Sequence, residues 1–160
     1  MGERLICCFT GHRRIRPEIM PELSALLDRV LDTLINDGVT EFRTGGAVGF
    51  DTLAALKVLE KREKYPQIKL VLYLPCRNQA ERWDAESQAF YSHILTEADG
   101  MVYVCERYRA GCMQERNQRL VQGSHFCIGY CTSARGGSAY TLDYARNHGL
   151  RVINLSAMLK

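Results

Sequence analysis

Along this chain the spacing of apolar residues switches repeatedly between short continuous runs and a helical period. Residues 5–9, Leu-Ile-Cys-Cys-Phe, form a run that suits a strand covered on both faces. Between residues 21 and 36, Leu23, Leu26, Leu27, Val30, Leu31, Leu34 and Ile35 fall on one helical stripe, and Gly38 is placed to end the helix. Pro17 and Pro21 predict an irregular approach to it, because proline fits only the first turn. Residues 40–43 predict a second strand and residues 50–62 a helix packed through Leu53, Ala54, Val58 and Leu59. A third strand over 70–74 is stopped by Pro75, and a helix over about 80–95 carries Trp83, Phe90 and Ile94. The remainder repeats the theme: a strand at 101–104, a charged loop at 106–111, a helix at 112–122, a strand at 125–130, a helix ending near 147 and a strand at 152–155.

Strand and helix patterns that alternate throughout predict one α/β domain over residues 1–160, a Rossmann-like three-layer sandwich with a mainly parallel sheet. The expected strand order is 3-2-1-4-5-6. In that order the carboxyl ends of the first and fourth strands flank the switch point where ligands bind, which would make residues 10–14 and 106–116 neighbours.

Composition narrows the function classes. At 160 residues and 46% hydrophobic content the chain can bury a core. No apolar run reaches the length of a membrane span, and the start lacks the apolar segment of a signal peptide, so a cytoplasmic protein without a membrane partner is expected. Met1-Gly2 is followed by Ile6 where a myristoylation signal has Ser or Thr. The formal charge of +3 favours small anions over a dedicated nucleic-acid surface. Seven cysteines, an odd number without Cys-x-x-Cys spacing, read as free thiols packed in a reducing compartment, and no metal site is expected.

Three polar turns carry the candidate chemistry. Thr10-Gly11-His12-Arg13 follows the first strand, where Gly11 could admit a ligand and Arg13 could grip phosphate. His12 could donate to a ligand, act as a base or cap a turn. In the second turn, Gly45, Gly46 and Gly49 precede a helix whose free N–H groups would favour an anion, and Asp51 either serves that helix end or orients a ribose hydroxyl or water. Gly136, Gly137 and Ser138 form the third, with Ser138 and Thr141 offering hydroxyl donors. On the helix over 112–122, Arg116 and Asn117 interrupt a stripe otherwise set by Met113 and Leu120, which points the guanidinium toward a polar crevice. Asn78 and Gln79 could meet a nucleobase edge, while Trp83 could stack on a base or seal its helix against the sheet. Neither Gly-x-Gly-x-x-Gly nor a P-loop is present, so no resident cofactor is expected.

Thr10-Gly11-His12-Arg13, Gly45-Gly46-Ala47-x-Gly49-x-Asp51, Cys112-Met113-x-x-Arg116-Asn117 and Gly136-Gly137-Ser138-x-x-Thr141 together resemble the YpsA-like group of the SLOG superfamily, which also holds DprA-like and LOG-like proteins. The resemblance covers nearly the whole chain and implies a Rossmann-like fold with a site for a nucleotide-derived ligand. LOG proteins are phosphoribohydrolases with a Met-x-x-Arg segment and a Pro-Gly-Gly-x-Gly-Thr-x-x-Glu turn. Arg116, Gly136, Gly137 and Thr141 match that pattern; Arg135 stands at the proline and Tyr144 at the catalytic glutamate.

The expected function is therefore binding of a nucleotide or other phosphorylated small molecule, as sensor or adaptor. One alternative is a nucleotide-processing hydrolase in which Arg13 and Arg116 hold phosphate and Asp51 or Glu115 activates water. Another, suggested by the DprA-like relatives, is association with single-stranded nucleic acid. A homodimer is also expected.

Overall fold

The apolar run near the N-terminus becomes β1 (Leu5–Gly11), whose residues from Ile6 to Thr10 are buried. In the computed structural model, which describes residues 4–159, β1 pairs in parallel with β2 (Val39–Thr44) on one side and β5 (Phe126–Tyr130) on the other. Beyond β2 lie β3 (Lys69–Leu74) and β4 (Gly100–Tyr103), and beyond β5 lies β6 (Arg151–Asn154), all parallel. The Met1-Gly2 start falls outside the described residues.

The helices are α1 (Met20–Asn36), entered through a 3-10 turn at Pro17–Ile19, α2 (Phe50–Lys64), α3 (Ala85–Glu97), α4 (Cys112–Val121) and α5 (Gly137–Asn147). Buried side chains of α1, α2 and α3 pack on one face of the sheet around Phe9, Phe42, Phe50 and Leu72. Those of α4 and α5, including Leu120, Val121, Leu142 and Ala145, pack on the other around Cys8 and Cys127. The Rossmann-like sandwich is thus present. None of the described helices is long and apolar enough to cross a membrane.

The strand order is β4-β3-β2-β1-β5-β6, which corrects the expected 3-2-1-4-5-6. β4 lies at the edge beside β3, and β5 takes the place next to β1. The strands themselves explain this. β4 is short and leaves Met101 42% exposed, as an edge strand can, whereas Cys127 to Tyr130 of β5 are all buried. Three right-handed crossovers in one direction put α1, α2 and α3 on a common face. The chain reverses only after β4, so α4 returns across the opposite face and packs against both β3 and β1. The switch point therefore lies between β1 and β5.

A second difference concerns residues 77–83. These form turns, not the first part of a helix, and α3 starts only after Asp84, whose carboxylate accepts the Ser87 N–H at 2.7 Å. Trp83 consequently sits on a loop at the carboxyl end of β3.

Candidate functional site

At the β1/β5 switch point a crevice of about 340 Å³ opens between the exit of β1, the start of α2, the body of α4 and the start of α5. Thr10, Gly11, His12, Arg13, Asp51, Arg116, Asn117, Gly136, Gly137 and Ser138 all line it, so all three polar turns converge there. Met113 and Leu120 supply apolar wall, and Arg135 supplies a third arginine.

Arg116 is 5% exposed although charged. Its Nη1 donates to the carbonyl of Gly45 at 2.6 Å and more distantly to that of Tyr73 at 3.5 Å, while Nε donates to Asn117 Oδ1 at 2.9 Å. Burial lowers its pKa from the ordinary arginine value, and the Asp51 carboxylate works against that shift. Gly45 is glycine because of this contact: a Cβ there would overlap the Arg116 guanidinium. Gly49 has φ of +81°, and a Cβ on it would run into the backbone of His12 and Arg13. The close approach lets Phe50 N–H donate to the His12 carbonyl at 3.0 Å, tying α2 to the end of β1.

Asp51 lies in the first turn of α2, buried to 6% exposure, and its Oδ2 accepts the Ala47 N–H at 3.2 Å. Burial raises its pKa to about 6, against the lowering influence of Arg116, the Ala47 N–H and Arg13. The first turn of α2 thus already carries the protein's own carboxylate, turned back to the Ala47 N–H, and Gly45, Gly46 and Gly49 are not among the residues that line the crevice. The α5 terminus differs. Gly136 and Gly137 are exposed, and its first turn carries no acid. Its N–H groups face a crevice lined by Arg13, Arg116 and Arg135, an arrangement suited to an anion.

Several expected residues are engaged within the protein itself. His12 Nε2 accepts the Thr132 N–H at 2.8 Å, so the ring joins the exits of β1 and β5, and a neutral ring carries its proton on Nδ1. Thr141 is 1% exposed and donates to the Gly137 carbonyl at 2.8 Å, away from the crevice. Glu115 is not among the lining residues; it pairs with Arg109 at 2.8 Å and accepts from Cys105 Sγ at 3.5 Å. Tyr144 stacks on His148 with ring centroids 4.0 Å apart. Arg135 is the contributor that sequence reasoning passed over as a site residue; the available signal was a cation placed directly before Gly136-Gly137.

The motif segments meet in one crevice, and a family model described as the YspA SLOG family, YpsA, matches residues 9–154. The chain belongs to the YpsA family. Among curated relatives, an UPF0398 protein of Bacillus pumilus is 34% identical over 129 residues, covering 79% of this chain and 69% of the relative. The uncharacterized SPbeta prophage-derived protein YoqJ of Bacillus subtilis is 25% identical over 142 residues, covering 79% and 83%. Among solved structures, DNA processing protein A from Helicobacter pylori, described with a single-stranded DNA binding mode, superposes with a TM-score of 0.66 at 18% identity, covering 92% of this chain and 63% of that one. The Streptococcus pneumoniae DprA gives 0.66 at 16% identity, covering 93% and 49%, and TM1055 gives 0.57 at 17%, covering 92% and 72%. The YpsA-family chain thus spans less than two thirds of either DprA chain, and at these identities the likeness concerns the fold.

Proposed function

We propose that this YpsA-family protein binds the phosphate of a nucleotide or nucleotide-derived ligand in the β1/β5 crevice, as a sensor or adaptor. The observation that carries the reading is the open N-terminus of α5, with Gly136, Gly137 and Ser138 facing the same crevice as Arg13, Arg116 and Arg135. Arg116, held by two carbonyls and Asn117, is fixed in place before any ligand arrives, which reduces the ordering cost of binding.

Isothermal titration with inorganic phosphate, ribose 5-phosphate, nucleoside monophosphates and ADP-ribose tests it. The useful variant is Ser138→Asp. A carboxylate in the first turn of α5 favours the helix while occupying the anion position. Saturable binding by the parent protein and at least a roughly tenfold loss in the variant are expected, the size of a charge-assisted hydrogen bond. Absence of binding to the whole panel would sink the reading.

Asp51 favours a second reading, hydrolysis of an N-glycosidic or phosphate bond. A buried carboxylate with a pKa of about 6 is suited to exchange protons near neutral pH, and it shares the crevice with Arg116. Asp51 would take a proton from water and Arg116 would steady the developing charge. Chromatography of nucleoside monophosphates after incubation would reveal free base or phosphate, and turnover that persists in Asp51→Asn would contradict the assignment.

A further inference from the structure

Beside the crevice lies a second hollow of about 380 Å³, formed by the loop after β3 and the loop before α4. Its chemistry is different. Pro75, Trp83, Tyr108 and Met113 provide apolar and aromatic wall, Asn78 and Gln79 provide amides, and the charges present, Glu81 and Arg82, offset one another. A neutral planar ring with polar edges fits such walls better than an anion does.

The hollow adjoins the crevice in two ways. Met113 lines both. The Gly45 carbonyl, which accepts Arg116 Nη1 at 2.6 Å, also accepts Gln79 Nε2 at 3.5 Å, so one backbone group positions a side chain of each compartment. Gln79 Nε2 also reaches Tyr91 Oη at 3.3 Å, whereas Gln79 Oε1 is buried without a hydrogen-bond partner. An unsatisfied buried acceptor is unfavourable, and a turn of the amide toward the hollow it lines would offer that oxygen to a ring N–H or exocyclic amino group. Trp83 is braced from behind by an edge contact with Tyr91, at 5.1 Å between ring centroids.

We propose that this hollow is the nucleobase subsite of the adjoining phosphate crevice, so that the ligand is a nucleotide lying with its phosphate at the start of α5 and its base against Trp83. This rests on the phosphate reading of the crevice and adds the ligand's class and direction. The two compartments divide the work: arginines and helix N–H groups take the charged end, and aromatic and amide groups take the neutral end.

Trp83 is the chain's single tryptophan, so its fluorescence reports on the hollow without any substitution. Purified protein is titrated with ribose 5-phosphate and with the four nucleoside monophosphates, with calorimetry and tryptophan emission followed in parallel. At least one nucleotide is expected to bind about tenfold or more tighter than ribose 5-phosphate and to change the emission along the same saturation curve, while ribose 5-phosphate binds with little optical change. Asn78 is exposed, and Asn78→Ala is expected to weaken nucleotide binding several-fold, leaving ribose 5-phosphate affinity as it was. Nucleotides that bind no tighter than ribose 5-phosphate, or that bind without changing the emission, overturn the base subsite while the phosphate crevice stands. If no probe, inorganic phosphate included, binds at all, the crevice reading falls and the subsite falls with it.

Discussion

Asp51 and Arg116 are oppositely charged and both nearly buried at the crevice wall, yet the hydrogen bonds of Arg116 go to Gly45, Tyr73 and Asn117. Asp51 is left with burial as the dominant influence, and its pKa rises from 3.8 to about 6. The consequence for stability has a definite sign. Below pH 4 the carboxyl is protonated in folded and unfolded chains alike. Between about pH 4 and 6 the folded chain binds the extra proton, so stability falls as pH rises through that window. Above it the fold carries a buried carboxylate that costs up to about 3 kcal/mol. Asp51→Asn keeps an acceptor for the Ala47 N–H and removes that cost. Urea unfolding should find the variant more stable than the parent at pH 7.5 and equal to it at pH 3.5; equal stability at both would contradict the account of Asp51. Gly45→Ala works in the opposite direction. Its methyl group displaces the Arg116 guanidinium, an overpacking that should cost about 1–3 kcal/mol in unfolding experiments and weaken phosphate binding together.

Among the elements, α2 and α5 look alike in sequence, each beginning after a glycine turn, and the acid that follows only one of them separates them. Asp51 places a carboxylate in the first turn of α2, whereas α5 has no acid in its first turn. Ser138→Asp should therefore maintain or raise the melting temperature, by a helix-terminus effect of about 0.3–1 kcal/mol, while lowering phosphate affinity. The periodicity of the sequence displayed nearly every strand and helix, because buried runs and helical stripes are local properties. Strand order was not local. The edge position of β4 follows from its shortness and from the demand of β5 for burial on both faces, and neither is visible until strands compete for the place beside β1. Likewise, the helical reading of residues 80–84 overlooked Asp84, which caps α3 through Ser87 and leaves Trp83 on a loop. Arg116 was legible as a cation in an apolar stripe, and it does reach the crevice; Glu115 and Thr141 were named for chemistry but are engaged elsewhere.

For the whole molecule, the reversal of chain direction after β4 is what builds the site. It sends α4 back across the sheet, delivers Arg116 to the ends of β2 and β3, and opens the gap between β1 and β5 over which α5 presents its terminus. Four separate segments close on one crevice, so ligand should stabilise the entire fold. With ribose 5-phosphate at a hundred times its Kd, thermal unfolding should shift by the equivalent of about 2.7 kcal/mol in the parent protein, and by much less in Ser138→Asp. The central claim is that the start of α5 holds the ligand's phosphate. Amide nitrogen–proton spectra recorded while ribose 5-phosphate is added test it most directly. The account predicts saturable shifts of the Gly136, Gly137 and Ser138 amides on a common curve. Shifts centred instead on the Ala47 to Asp51 turn, with the α5 amides unmoved, would contradict it.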